Sequence, residues 1–161
     1  MTIIQKIKSF LKDIENISIG YNEMNFTTPD NFDKAQIGYS IDPKGNSLLT
    51  GAFGDWEDGW AVIGNDSAGD PIFIDCSQSK LPVMTSPHGE GEWIPVLLAN
   101  SLDNFKIIIE DIRKLSLNRE TPVAIKENPI PKEELKKCLN EIKNNNNLED
   151  IEYWELFLQT E

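Results

Sequence analysis

Trp60-Ala61-Val62-Ile63-Gly64-Asn65-Asp66-Ser67-Ala68-Gly69-Asp70-Pro71-Ile72-Phe73-Ile74-Asp75 sets two short apolar runs on either side of a polar turn. Runs rich in β-branched and aromatic residues, bounded by Gly, Asn, Asp and Pro, read as strand, turn, strand. The loop from Gly64 to Pro71 is longer than a two-residue hairpin connection, and its two glycines permit positive φ. Pro71 has no N–H, so it is expected to open the second strand, where no ladder donor is missed. The hairpin is the expected centre of a sheet on which the rest of the chain packs.

Upstream, Ile3, Ile4, Ile7, Phe10, Leu11 and Ile14 fall on one helical stripe, so a helix is expected over about 3–15. Thr2 is placed to cap it, with Gln5 as the capping-box partner. Residues 16–34 carry no clear period. Thr28 before Pro29 has the order of a cap and first turn. Gln36 to Ile41 and Ser47 to Phe53 read as strands of a meander, joined by the turn Pro43-Lys44-Gly45-Asn46. Gly51, Gly54 and Gly59 imply a bent backbone around Asp55-Trp56-Glu57-Asp58.

Downstream, Leu81 to Thr85 reads as a short strand. A second helix is expected over about 96–115, where Leu98, Leu102, Phe105, Ile109 and Ile112 recur at helical spacing. Asn100 or Ser101 offers a cap for a later start. Pro122, Pro129 and Pro131 make 118–131 a connector, with Thr121 to Lys126 a candidate edge strand. Pro131 opens a third helix over about 131–143, with Leu135, Cys138, Leu139 and Ile142 facing inward. Residues 148–158 read as a short helix or a closing strand. The whole, 1–161, is expected as a single α+β domain. Its one largely antiparallel sheet, at about 36–96, is flanked by helices.

The chain of 161 residues has 27 acidic against 15 basic residues and a formal net charge of −12. Such a surface repels phosphate backbones and anionic lipid, so neither direct nucleic-acid binding nor a membrane is expected. No apolar run reaches the length of a span, and the N-terminus lacks the pattern of a signal peptide. Cys76 and Cys138 form neither a disulfide framework nor a zinc spacing, which suits reduced thiols in the cytoplasm. No phosphate loop, dinucleotide fingerprint or nucleophile elbow is present, so no cofactor and no enzymatic role are expected.

Asp66 and Asp70 are spaced as calcium ligands are, but the terminal Glu of a twelve-residue calcium loop is missing. The simpler reading is a loop whose side chains bond their own backbone. His88, the one histidine, is a weak candidate for a general base without a nucleophile motif, and a better one for holding a loop by hydrogen bonding. A denser signal is the run from 54 to 92. It holds Asp55, Glu57, Asp58, Asp66, Asp70, Asp75, Glu90 and Glu92, with Lys80 its only Lys or Arg. Trp56, Trp60 and Trp93 are interleaved with these acids. An acidic, Trp-bearing rim would steer and anchor a basic protein. The alternative is a solvated acidic face over a core, and Trp60 and Trp93 are expected in that core.

Trp60-x-Val62-Ile63-Gly64-x-Asp66-x-x-Gly69-Asp70-Pro71-Ile72-x-x-Asp75, then Pro82-Val83, His88, Trp93 and Ala99-x-Ser101-Leu102-x-x-Phe105, resembles the SUKH superfamily of Smi/Knr-like proteins. The matching block runs from about 60 to 105. The resemblance implies an α+β domain with a single sheet flanked by helices. It implies Gly64, Gly69 and Pro71 as scaffold residues that shape the hairpin. Many bacterial members of that superfamily are immunity proteins that bind and neutralise a toxin domain, often a nuclease. Eukaryotic relatives are cell-wall and signalling regulators. The expected function is therefore an immunity protein that binds a basic toxin domain. Its expected contact residues are Asp55, Trp56, Glu57, Asp58, Asp66, Asp70, Asp75, Glu90 and Glu92. The alternative is a regulatory or scaffold module without a toxin.

Overall fold

The computed structural model describes residues 1–158 of the chain. Its sheet has six strands in sequence order, all antiparallel: β1 (Ile17–Ile19), β2 (Asn22–Phe26), β3 (Trp60–Asp66), β4 (Pro71–Asp75), β5 (Val83–Thr85) and β6 (Val96–Ala99). The fold is α+β. The hairpin read from the sequence is the pair β3–β4 at the middle of the sheet, and Pro71 is the first residue of its second strand. β3 extends further than expected, to Asp66, so the turn shrinks to residues 67–70. A bulge interrupts the register between Val62 and Gly64.

Residue alternation on the central strands divides two cores. Ile63, Ile72 and Ile74 face the helices; Trp60, Val62 and Phe73 face the other way. Ile63, Ile72, Phe73 and Ile74 are fully buried, each contributing about 1.5–3 kcal/mol from burial. A strand covered on both faces reads as a continuous apolar run, and Ile72-Phe73-Ile74 has that form.

The helical face is built by α1 (Ile3–Asp13), α3 (Leu102–Ser116), α5 (Lys132–Asn146) and α6 (Glu152–Leu158). The capping box forms at α1, where Thr2 Oγ1 accepts from Gln5 N–H and Gln5 Oε1 accepts from Thr2 N–H. Ile7, Phe10 and Leu11 of its stripe are buried, while Ile3 and Ile4 protrude as its exposed first turn. Phe10, Phe26 and Phe105 close a ring of aromatic contacts with centroids 6.0–6.2 Å apart. Trp154 of α6 is buried and donates its indole N–H to the Leu98 carbonyl at 3.0 Å, satisfying an acceptor on the outermost strand β6.

Four expectations are corrected. Residues 36–41 and 47–53 are not sheet strands; they make turns and isolated bridges, Ile37 with Ile41 and Ile41 with Ser47. The sheet begins instead at β1 and β2, within the span that carried no clear period. Residues 96–99 are β6, paired with β5, and the helix starts after Ser101, whose side chain accepts from Asn104 N–H. Thr121 to Lys126 is no edge strand: Thr121 caps the short helix α4 (Pro122–Glu127), with Pro122 in its first turn. The third helix begins one residue later than expected, with Pro131 as its cap residue, and residues 152–158 settle the last segment as helix.

The connection from β2 to β3 starts with a 3₁₀ turn (Pro29–Asn31) running into α2 (Phe32–Ala35). It then crosses the sheet's second face. The Gln36 carboxamide pairs with both backbone groups of Val62, donating to its carbonyl at 2.9 Å and accepting from its N–H at 2.8 Å. One side chain thus satisfies β3 where β2 has ended, doing the work of a strand residue.

Candidate protein-binding groove

Over the second face lies an aromatic cluster. Trp56, Trp60, Val62 and Phe73 are buried, with Ala35, Tyr39, Leu49, Met84 and Trp93 packed on them. Trp56 sits at its centre, with ring centroids 4.8 Å from Phe73, 4.9 Å from Tyr39, and 5.2 Å from both Trp60 and Trp93. Its indole N–H donates to the Trp60 carbonyl at 3.2 Å. Trp56 therefore does not stand on the rim where the sequence reading put it; it is 4 % exposed. An amphipathic ring with one donor is stable inside when that donor finds a carbonyl. Trp60 is core as expected, and Trp93 is half-buried at the cluster's edge.

At this edge the loops 50–58 and 86–95 meet. Trp93 N–H donates to the Gly54 carbonyl at 2.7 Å, and Ile94 N–H donates to Ser86 Oγ at 2.8 Å. Between them lies a groove of about 290 Å³ lined by Phe53, Gly54, Asp55, Glu57, Trp60, Glu92, Trp93, Ile94 and Pro95. A smaller hollow of about 220 Å³ adjoins it, sharing Gly54, Asp55, Glu92 and Trp93. Phe53 is 101 % exposed and Ile94 53 %. An apolar floor with carboxylates around it is a surface, not an interior, and it is left uncovered.

Of the nine expected contact residues, Trp56 is buried and the eight acids fall into two groups. Asp55, Glu57 and Glu92 line the groove; Asp58 and Glu90 are exposed on the same two loops. Asp55 accepts from the Thr50 hydroxyl. Asp66, Asp70 and Asp75 are engaged within the chain. Asp66 accepts from the N–H groups of Ala68 and Asp70 and from the Tyr153 hydroxyl at 2.9 Å. Asp70 accepts from His88 N–H at 3.0 Å and lies 2.6 Å from its Nδ1. Asp75 accepts from Ser77 and Gln78; burial works against its charge, but these hydrogen bonds prevail and hold its carboxyl below the usual range. The loop-bonding reading of Asp66 and Asp70 is the one the geometry follows.

The His88 ring is tied to Asp70 and packs by Gly69, so its place in the fold is to pin one loop to another. Among the described residues no group of three or more His, Cys, Asp or Glu is arranged to hold a metal ion, and no helix is long and apolar enough to cross a membrane. Burial pushes the Tyr153 phenol well above its ordinary pKa, and the Asp66 charge beside it pushes the same way. Sequence reasoning missed Phe53, Ile94 and Pro95. The signal for Phe53 was present: a bulky apolar residue in Gly51-Ala52-Phe53-Gly54, where no strand period supports it.

The chain matches no family model, no curated protein and no solved structure among those compared.

Proposed function

We propose that this chain is an immunity protein that binds and neutralises a basic toxin domain through the groove between loops 50–58 and 86–95. The observation that carries the reading is the union of an uncovered apolar floor with three carboxylates at one edge of a rigid aromatic cluster. A protein partner is the occupant such a surface suits: aromatic and aliphatic anchors supply buried area, and carboxylates steer a cationic surface into place. The resemblance of residues 60–105 to SUKH proteins points the same way, and a nuclease domain has the basic surface the charge demands. The partner would be bound, not processed, and in the cytoplasm.

The test is co-expression with the product of the adjacent reading frame. The expected outcome is a stoichiometric complex, loss of the toxin's activity, and an association rate that falls steeply with added salt. A regulatory module without a toxin would give no such complex. Reversing Asp55, Glu57 and Asp58 to Lys together should slow association; an unchanged rate and affinity would remove the groove from the interface.

A further inference from the structure

The groove is open to solvent along its exposed residues Phe53, Glu57, Glu92 and Ile94, whereas a small-molecule site buries most of what it holds. At about 290 Å³ it has room for one or two protein side chains. Its chemistry is two-part. Asp55, Glu92 and the half-buried Trp93 line it together, while Phe53 and Ile94 add exposed apolar surface to the same lining. The ion pairs among the described residues are His88 with Asp70 and Arg113 with Glu15, so the groove carboxylates carry no internal counter-charge.

We infer that the groove seats an arginine of the protein partner, its guanidinium held by Asp55 and Glu92 against the Trp93 ring, with a neighbouring aliphatic side chain on Phe53 and Ile94. This rests on the proposed protein-binding role and narrows it to an Arg-aliphatic segment. A planar guanidinium meets a carboxylate with two parallel hydrogen bonds and stacks on an indole face; a lysine ammonium is a more strongly hydrated point charge and does neither as well. Arginine is therefore the cation this combination favours. An aliphatic neighbour gives Phe53, which is wholly exposed, an apolar surface to bury against.

The experiment titrates the full-length ¹⁵N-labelled protein with a short peptide carrying Arg-Leu-Arg in a Gly/Ser context. Its controls carry Lys-Leu-Lys, Glu-Leu-Glu and Arg-Ser-Arg. The expected result is saturable shifts of the Trp93 indole N–H and of amides at 53–57 and 92–94, tightest for Arg-Leu-Arg and absent for Glu-Leu-Glu. Phe53→Ser, on a side chain that packs on nothing, and the pair Asp55→Asn with Glu92→Gln should each weaken binding by about tenfold with the spectrum otherwise unchanged. Equal affinity for the lysine peptide, or shifts confined to other surfaces, would overturn the inference. If the whole partner still forms its complex and neither Phe53→Ser nor the pair Asp55→Asn with Glu92→Gln weakens it, the Arg-aliphatic seat is wrong while the immunity role stands. If the peptide binds as described but the neighbouring gene's product does not, the seat stands and the toxin reading falls.

Discussion

A Cβ placed on Gly64 would lie 2.3 Å from the Asn25 carbonyl oxygen and 3.1 Å from the Phe26 Cα, both backbone atoms of the neighbouring strand. Gly64 therefore serves close approach between β2 and β3, opposite Phe26, and not a turn. Gly69 is the contrasting case: it is in the turn at φ +80°, with only an ordinary contact to His88. Gly64→Ala must push two strands apart and should lose about 3 kcal/mol or more, whereas Gly69→Ala loses about 1–2 kcal/mol of left-handed strain. Urea unfolding of the two variants checks the order. The cysteines give a second prediction at this scale. Burial raises the Cys76 thiol to about 11, helped by the Asp75 charge, and burial beside Asp111 and Glu141 does the same for Cys138. The thiolate is the reactive form, so alkylation of the native protein should be slow at pH 8 and keep rising through pH values near 11, where a free thiol, half-ionised at about pH 8.5, has already levelled off. Half-buried Cys76 should react before buried Cys138, as mass spectrometry of digested samples will show.

Among the elements, α6 is held at two points. Trp154 reaches the β6 backbone, and Tyr153 reaches Asp66 at the end of β3. The helix has seven residues, too few to persist alone, so its order comes from these contacts and from Phe157 and Leu158 in the core. Tyr153→Phe should lower stability by about 1–2 kcal/mol, because Asp66 keeps its two backbone donors and is not orphaned. Faster amide hydrogen exchange over 152–158 would report the loosened helix; unchanged exchange would show that Trp154 alone holds it. The β1–β2 hairpin illustrates why some elements were not legible. Its strands have three and five residues, and β2 alternates Met24 and Phe26 with Asn22, Glu23 and Asn25, too short a pattern to separate from a loop. The helix at 102–116 was legible because its stripe spans four turns, yet its start was misplaced: Val96 to Ala99 extends the apolar pattern while belonging to the sheet.

In the whole molecule, one sheet carries two different covers. Helices close one face, and an irregular segment from 36 to 58 closes the other through Tyr39, Leu49 and Trp56. That second cover depends on its central tryptophan. Trp56→Ala should cost about 3–5 kcal/mol and release the segment, so that limited proteolysis cuts first between 36 and 58. Retained protection there would mean that Gln36 and the bridges at Ile41 suffice. The sequence alone determined the central hairpin, the helical stripes, the cap at Thr2 and the acidic excess at 54–92, because period, cap chemistry and charge are properties of neighbouring residues. Only the tertiary structure decided that Trp56 is inside and Phe53 outside, that Asp66, Asp70 and Asp75 close loops while Asp55, Glu57 and Glu92 share a groove, and that Gln36 stands in for a strand. Each of those outcomes depends on contacts between loops distant along the chain, and no local pattern encodes which of two similar side chains finds a partner across that distance.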